Sequence, residues 1–228
     1  MSTSYNASIV RDGLILALDA GNIKSYPGSG ATWTDLSGIG NNSTLVNSPT
    51  YSSTNGGSFA FNGTNNYSDM VGNTNTRLQN DQQTLSLWVK INSVGANGEA
   101  LLWEVYGGTK QTWIAWTPGG VNFWCGSNVT YVGITSANNF SEWMNVVYII
   151  NRAASTFTLY KNGVYVNVVS FTAYTPDATT VVFGKNSRTG NVLDYTNGSI
   201  ANIQLYNRLL TASEVKQNFN ALRGRYGI

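Results

Sequence analysis

Hydrophobic and polar residues alternate along most of this chain with a period of two, the pattern of strands whose successive side chains face opposite sides of a sheet. In Thr84-Leu85-Ser86-Leu87-Trp88-Val89-Lys90-Ile91, the aliphatic set Leu85, Leu87, Val89 and Ile91 falls on one face and Ser86, Trp88 and Lys90 on the other. The aliphatic face is core, so Trp88 must meet a second layer, a groove or a partner. A loop folded over the sheet is favoured over a glycan platform. Two further runs, 157–161 and 164–169, flank Asn162-Gly163. That pair takes the positive φ angles of a two-residue hairpin turn more readily than any other, so a hairpin is expected there. Strands are also expected at 13–20, 58–61, 100–106, 111–116, 121–124, 143–150, 180–183 and 197–208, separated by Gly- and Asn-rich turns. A sandwich of roughly a dozen strands follows.

The period changes once, near the end. Thr211-Ala212-Ser213-Glu214 has capping-box spacing, and Val215, Phe219 and Leu222 share a face at helical spacing, with Gly224 placed to end the helix. One short docked helix is expected. Residues 1–10 have no periodicity of their own and read as an N-terminal arm; 11–228 read as a single domain without linker, repeat or coiled coil.

Composition narrows the partners. Only 11% of the 228 residues are charged, against an average of about 25%, and the net charge is +2. Solubility therefore rests on neutral polar groups. Without a Lys/Arg run there is little to attract a phosphate backbone, so nucleic acid is not expected as a partner. No stretch reaches the ~20 apolar residues of a membrane span. The start, Met1-Ser2-Thr3-Ser4-Tyr5-Asn6, lacks the basic and apolar parts of a signal peptide, so synthesis in a host cytoplasm is expected. Asn-x-Ser/Thr triplets such as Asn128-Val129-Thr130 then follow from composition alone.

Candidate chemistry is sparse. There is no His, which removes Ser-His and Cys-His nucleophile activation. The lone Cys125 stands beside Phe123 and Trp124 and reads as a small buried hydrophobe. Glycoside hydrolysis needs two carboxyl groups on one side of the scissile bond, and on a strand that means even spacing. Glu99 and Glu104 form the one acidic pair in an expected central strand; they are five apart, on opposite faces unless a bulge intervenes. The expectation is a non-enzyme with no cofactor and no metal centre. Asp19 and Asp35 could offer oxygen ligands to calcium, but turn-forming Asp residues are commoner. Seven Trp and thirteen Tyr in so uncharged a chain favour sugar stacking, with Trp88, Trp103, Trp113, Trp116 and Trp124 as the candidate glycan or partner contacts. Trp113 and Trp116 are three apart, so one points inward when the other points outward, and about half of the group should be core.

The two ends and several internal stretches carry a family resemblance. They are Gly13 to Ala20, Tyr26 to Gly38, the Asp-Leu-Ser-Gly-x-Gly-Asn-Asn run from Asp35, Phe61 to Tyr67, Ser86 to Lys90, Leu159 to Gly163, and Asn197 to Thr211. In this order they resemble laminin-G-like, concanavalin-A-like jelly rolls. The resemblance implies an all-β, two-sheet antiparallel jelly-roll sandwich whose first and last strands lie side by side, closed by the short C-terminal helix. It implies a role in binding glycans, binding proteins or building structures, not one role. One departure stands out: Ile200 is followed by Ala201, where relatives often carry an acidic residue. The wording of Leu18 to Asn22, Tyr26 to Gly30 and Asn220 to Ile228 is similar to versions in tailed-bacteriophage virion proteins. That resemblance implies a capsid decoration or head-fibre component on the virion surface, with capsid or other virion proteins as partners, self-association into a homo-oligomer left open, and no membrane insertion. Arg223, Arg225 and Tyr226 are the candidate docking residues, although helix-end electrostatics also accounts for the arginines. The alternative is a lectin-like adhesion module with a host-surface glycan as partner.

Overall fold

A computed structural model describes residues 8–70, 82–94, 100–106, 111–118, 120–126, 130–135, 140–173, 180–185 and 195–228. It contains two antiparallel eight-stranded sheets packed face to face. The first sheet runs β14 (Val164–Ser170), β13 (Thr156–Lys161), β12 (Met144–Asn151), β7 (Gln82–Ser93), β16 (Asn197–Tyr206), β5 (Ser58–Asn62) and β4 (Thr50–Ser52), with β1 (Leu14–Asp19) also paired to β16. The second runs β11 (Thr130–Thr135), β10 (Gly120–Gly126), β9 (Gln111–Thr117), β8 (Ala100–Tyr106), β15 (Thr180–Phe183), β6 (Tyr67–Asp69), β3 (Ser43–Val46) and β2 (Thr32–Trp33). The expected jelly-roll sandwich is present. Leu16 faces Leu205 and Leu18 faces Ile203 across the β1–β16 ladder, so the two ends of the chain do lie side by side.

Alternation places the core where the sequence put it. Leu85, Leu87, Val89 and Ile91 of β7 are buried between the sheets with Val146, Tyr148 and Ile150 of β12 and Ile200, Ile203 and Leu205 of β16. Trp33, fully buried, meets Phe59 edge-on at 4.8 Å and pins its Gly-rich loop to the core. The Asn162-Gly163 hairpin between β13 and β14 has φ values of 52° and 72°, both left-handed as the turn demands. Asn162 closes it further by exchanging backbone and side-chain bonds with Asn145 of β12.

The strands that alternation did not reveal are β2, β3, β4, β6 and β11. The first four are two to four residues long and rich in Ser and Thr, too short to show a period. The helix α1 (Ala212–Tyr226) starts at the expected capping box, with Thr211 Oγ1 accepting from the Glu214 amide and Glu214 Oε2 accepting from the Thr211 amide. It does not stop at Gly224. It runs to Tyr226, and Gly227 at φ 73° takes the left-handed cap, because the Tyr226 ring has a partner on the sheet that holds the extra turn.

Candidate functional site

Part of the first sheet's outer face is closed to a ligand. Helix α1 crosses it, and Trp88 is covered there: Tyr226 stacks on its ring at 4.2 Å and Phe219 lies parallel at 5.8 Å. Trp88 is 1% exposed. It therefore faces a second layer, as its strand parity required, but that layer is a helix rather than a loop, and Trp88 is not a glycan contact. Further along the same face, Val147 and Ile149 of β12 and Leu14 and Ala17 of β1 pack with Val10, Leu210 and Val215. The end of the N-terminal arm joins this layer: the Val10 amide donates to Asn218 Oδ1 at 2.8 Å, and its carbonyl lies 3.0 Å from the Tyr206 hydroxyl. Val10 thus belongs to the folded body; residues 1–7 lie outside the described part.

The proposed docking residues divide. Arg225 donates to both oxygens of Asp19, at 2.8 and 2.7 Å, and to the Gly56 carbonyl at 2.6 Å. Gly21 and Gly56 leave room for it, since a Cβ at Gly21 would sit 2.0 Å from Arg225 Nη2 and one at Gly56 2.6 Å from Nε. Arg225 and Tyr226 are thus committed to locking the helix onto the sheet and are not a docking patch. Arg223 stays exposed.

The candidate calcium ligands are occupied by protein donors. Asp35 accepts from the Ala17 and Ser37 amides through Oδ1 and from Ser37 Oγ and the Asn41 amide through Oδ2, at 2.6–2.9 Å. It fastens the loop to β1. Asp19 is neutralised by Arg225.

The second sheet carries a different arrangement. One register row crosses all eight of its strands: Thr32, Thr44, Asp69, Val182, Glu104, Trp113, Trp124 and Tyr131 are successive cross-strand partners. Its parity is fixed by neighbours. On β9, Ile114 and Trp116 are fully buried in the core, and β9 pairs with β10 without a register shift, so the Trp113 position belongs to the face away from the core. On β15, Val181 and Phe183 are in the core and Val182 alternates with them but is itself fully buried; on β3, Leu45 is in the core and Thr44 is exposed. At about 4.8 Å per strand, the positions from Glu104 to Tyr131 span about 14 Å, and those of Asp69 and Glu104 lie about 10 Å apart.

The five tryptophans named from sequence thus separate into Trp88 under the helix, Trp116 in the core, and Trp113 and Trp124 as direct partners in the outer row. Trp116 is corrected from contact to core residue. Trp103 lies opposite Ile114, and a register shift falls between it and Leu101. The side chains of Trp103, Trp113, Trp124, Tyr131, Glu104 and Cys125 lie outside the described residues, as does all of Glu99. The bulge that could have altered the Glu99–Glu104 spacing exists, but the structure assigns Glu104 another acidic row-mate, Asp69, two strands away. Sequence spacing could not find Asp69, because β6 has three residues and reaches Glu104 only through β15, more than a hundred residues downstream.

The concanavalin A-like lectin/glucanase superfamily model matches residues 62–216, from the end of β5 into α1. The chain belongs to that superfamily. Among solved structures, it superposes on domain 4 of AbnA, an extracellular arabinanase from Geobacillus stearothermophilus, in complex with arabinotriose. The TM-score is 0.69 at 17% identity, covering 90% of this chain and 97% of that one. It also superposes on the binding domain of botulinum neurotoxin DC in complex with SialylT (TM-score 0.73, 14% identity, 93% of this chain and 52% of that one) and on the binding domain of Paraclostridial Mosquitocidal Protein 1 (0.70, 17%, 92% and 52%). The chain spans about half the length of these toxin binding domains. No curated protein sequence matches it. At these identities the likeness is one of fold.

Proposed function

We propose that this superfamily member is a non-enzymatic glycan-binding module that presents the outer face of its second sheet to saccharide. The observation that carries the reading is the register row, in which Glu104, Trp113, Trp124 and Tyr131 follow one another on adjacent strands. Aromatic residues at these positions would supply faces for sugar C–H groups, and a carboxylate at the Glu104 position an acceptor for hydroxyls. On the other sheet the helix covers Trp88, which removes that residue as an alternative aromatic platform. The saccharide complex of AbnA domain 4 is consistent with this use of the fold. A virion surface is the setting we propose, on the sequence resemblance to phage proteins, with capsid or other virion proteins as attachment partners.

The test is a glycan array followed by titration calorimetry on the protein and its Trp113→Ala and Trp124→Ala variants. Binding should weaken at least tenfold in each, with unfolding midpoints close to the parent. Unchanged affinity in both would remove the row from the function. Sedimentation with phage heads lacking the protein tests the setting separately, by whether regularly placed density is added. One observation favours a second reading, glycan hydrolysis: the two acidic positions, Asp69 and Glu104, flank Val182 in the row. Shortening of the bound polysaccharide, abolished by Glu104→Gln, would replace the non-enzymatic reading with that one.

A further inference from the structure

On the opposite side of the molecule, a cavity of about 360 Å³ opens between the N-terminal segment, β1 and β16. That volume is within the range of small-molecule sites, ~300–1,000 Å³. Its walls are aliphatic, from Ile9, Leu14, Ala17 and Leu36. Its charge is one-sided. Arg11 and Lys24 stand exposed at its edge and have no ion-pair partner among the described residues, whereas the lining carboxylate, Asp19, is neutralised by Arg225.

The floor is built from two buried amides. Asn202 and Gln204 are 4% and 1% exposed and line the cavity. They end a hydrogen-bonded chain: Asn218 Nδ2 donates to the Tyr206 hydroxyl at 3.0 Å, that hydroxyl donates to Gln204 Oε1 at 3.1 Å, and Gln204 Nε2 donates to Asn202 Oδ1 at 3.0 Å. Asn202 Nδ2 is left with no protein acceptor among the described residues, a donor available to an occupant of the cavity that Asn202 lines. The chain has a second proton arrangement. The Tyr206 hydroxyl is also 3.0 Å from the Val10 carbonyl, and it has one hydrogen to give. When that hydrogen goes to Val10, both amides turn over, and Asn202 offers the cavity its carbonyl oxygen in place of its nitrogen. The floor can thus donate or accept, which suits a hydroxyl group.

We propose that this cavity binds a carboxylate-bearing sugar, with the carboxylate between Arg11 and Lys24, a hydroxyl on Asn202, and a C–H face on Leu14, Ala17 and Leu36. The site is independent of the second sheet's outer row. A uronic acid and a sialic acid share this chemistry, and the experiment separates them.

Titration calorimetry would use three probes, a glucuronic-acid-containing disaccharide, sialyllactose and lactose, against the full chain. The variants are Arg11→Gln/Lys24→Gln at the edge, Ala17→Leu to fill the cavity, and Trp113→Ala in the row. We expect one or both acidic sugars to bind at least tenfold more tightly than lactose, and that preference to vanish in the charge-removed double variant and in Ala17→Leu. It should weaken as salt rises from 50 to 500 mM and survive Trp113→Ala; the tighter acidic sugar identifies the source. Acidic sugars bound no better than lactose, or a preference unaffected by the edge variants, would overturn the proposal. A preference lost only in Trp113→Ala would also overturn it and assign acidic-sugar binding to the row. Because the edge residues are solvent-exposed and form no ion pair among the described residues, an unchanged unfolding midpoint in the double variant keeps the binding readout separate from folding.

Discussion

Tyr226 lies on Trp88 with ring centroids 4.2 Å apart and planes 19° from parallel, joining the last turn of the helix to the middle of β7, 138 positions earlier in the chain. Trp143 tilts against the same Tyr226 ring at 5.0 Å, so three aromatic residues and Phe219 form a small core of their own outside the sandwich. This cluster converts an outward-facing tryptophan from a contact surface into a fastener for the helix.

Trp88→Ala should therefore act on stability and not on binding. Removing a fully buried Trp leaves a cavity beneath Phe219 and Tyr226 and costs about 3–5 kcal/mol. Urea unfolding should show the loss, while the folded fraction keeps the parent's saccharide affinity. A stable variant with weakened binding would show that the helix does not cover this face in solution.

Tyr226→Phe separates packing from docking. The Tyr226 hydroxyl is buried with no hydrogen-bond partner among the described residues, and burial raises its pKa. Deleting an unsatisfied buried hydroxyl while keeping the ring should leave stability unchanged or raise it by about 1 kcal/mol. A loss above that size in thermal unfolding would reveal a partner for the hydroxyl.

Arg225→Ala and Arg223→Ala should differ although both stand in the last turn. The first breaks two bonds to Asp19 and one to Gly56, leaves the Asp19 carboxylate unpaired, and is expected to cost about 2–3 kcal/mol. The second removes an exposed side chain and should fall within about 0.5 kcal/mol of the parent. Equal unfolding midpoints for the two would contradict the lock.

Gly163→Val meets two obstacles at once. Its φ of 72° is in the left-handed region, and a Cβ there would lie 3.0 Å from the Phe219 ring, which packs over the hairpin turn. Backbone strain and overpacking together should cost about 2–5 kcal/mol, and Gly163→Ala less, since it adds no branch. Calorimetry on the pair checks the order; equal melting temperatures for parent and Gly163→Val would refute it.

Acid should loosen the helix start. Glu214 is held at a pKa of about 2, below its ordinary 4.5, first by its bonds to Arg208 and then by the Thr211 amide. Because the folded value is the lower one, this stabilisation is full above about pH 4.5 and is lost as pH falls from there through 2. The urea midpoint should drop across that window more in the parent than in Glu214→Gln, whose side chain cannot titrate.

Much of this architecture was legible in the chain because alternation and burial have the same cause. Leu85, Leu87, Val89 and Ile91 had to share a face, Asn162-Gly163 had to turn, and Thr211 with Glu214 had to cap a helix; each involves groups within a few residues of one another. Trp88 shows where that reasoning stops: its face followed from parity, but its partner came from a helix at the other end of the chain. Asp69 shows the same limit, since a three-residue strand has no visible period.

The sequence by itself determined the fold class, the pairing of first and last strands, the hairpin and the helix start, since all of these follow from local spacing, turn chemistry and family wording. Only the tertiary structure decided which of the described aromatics are core and which are fasteners, which strand positions line up in one register row, and that Asn202 and Gln204 floor a cavity with Arg11. Those facts depend on the order in which strands pair and on which sheet face the helix covers. Both are long-range choices, set by burying surface between segments up to two hundred residues apart, and no window along the chain contains them.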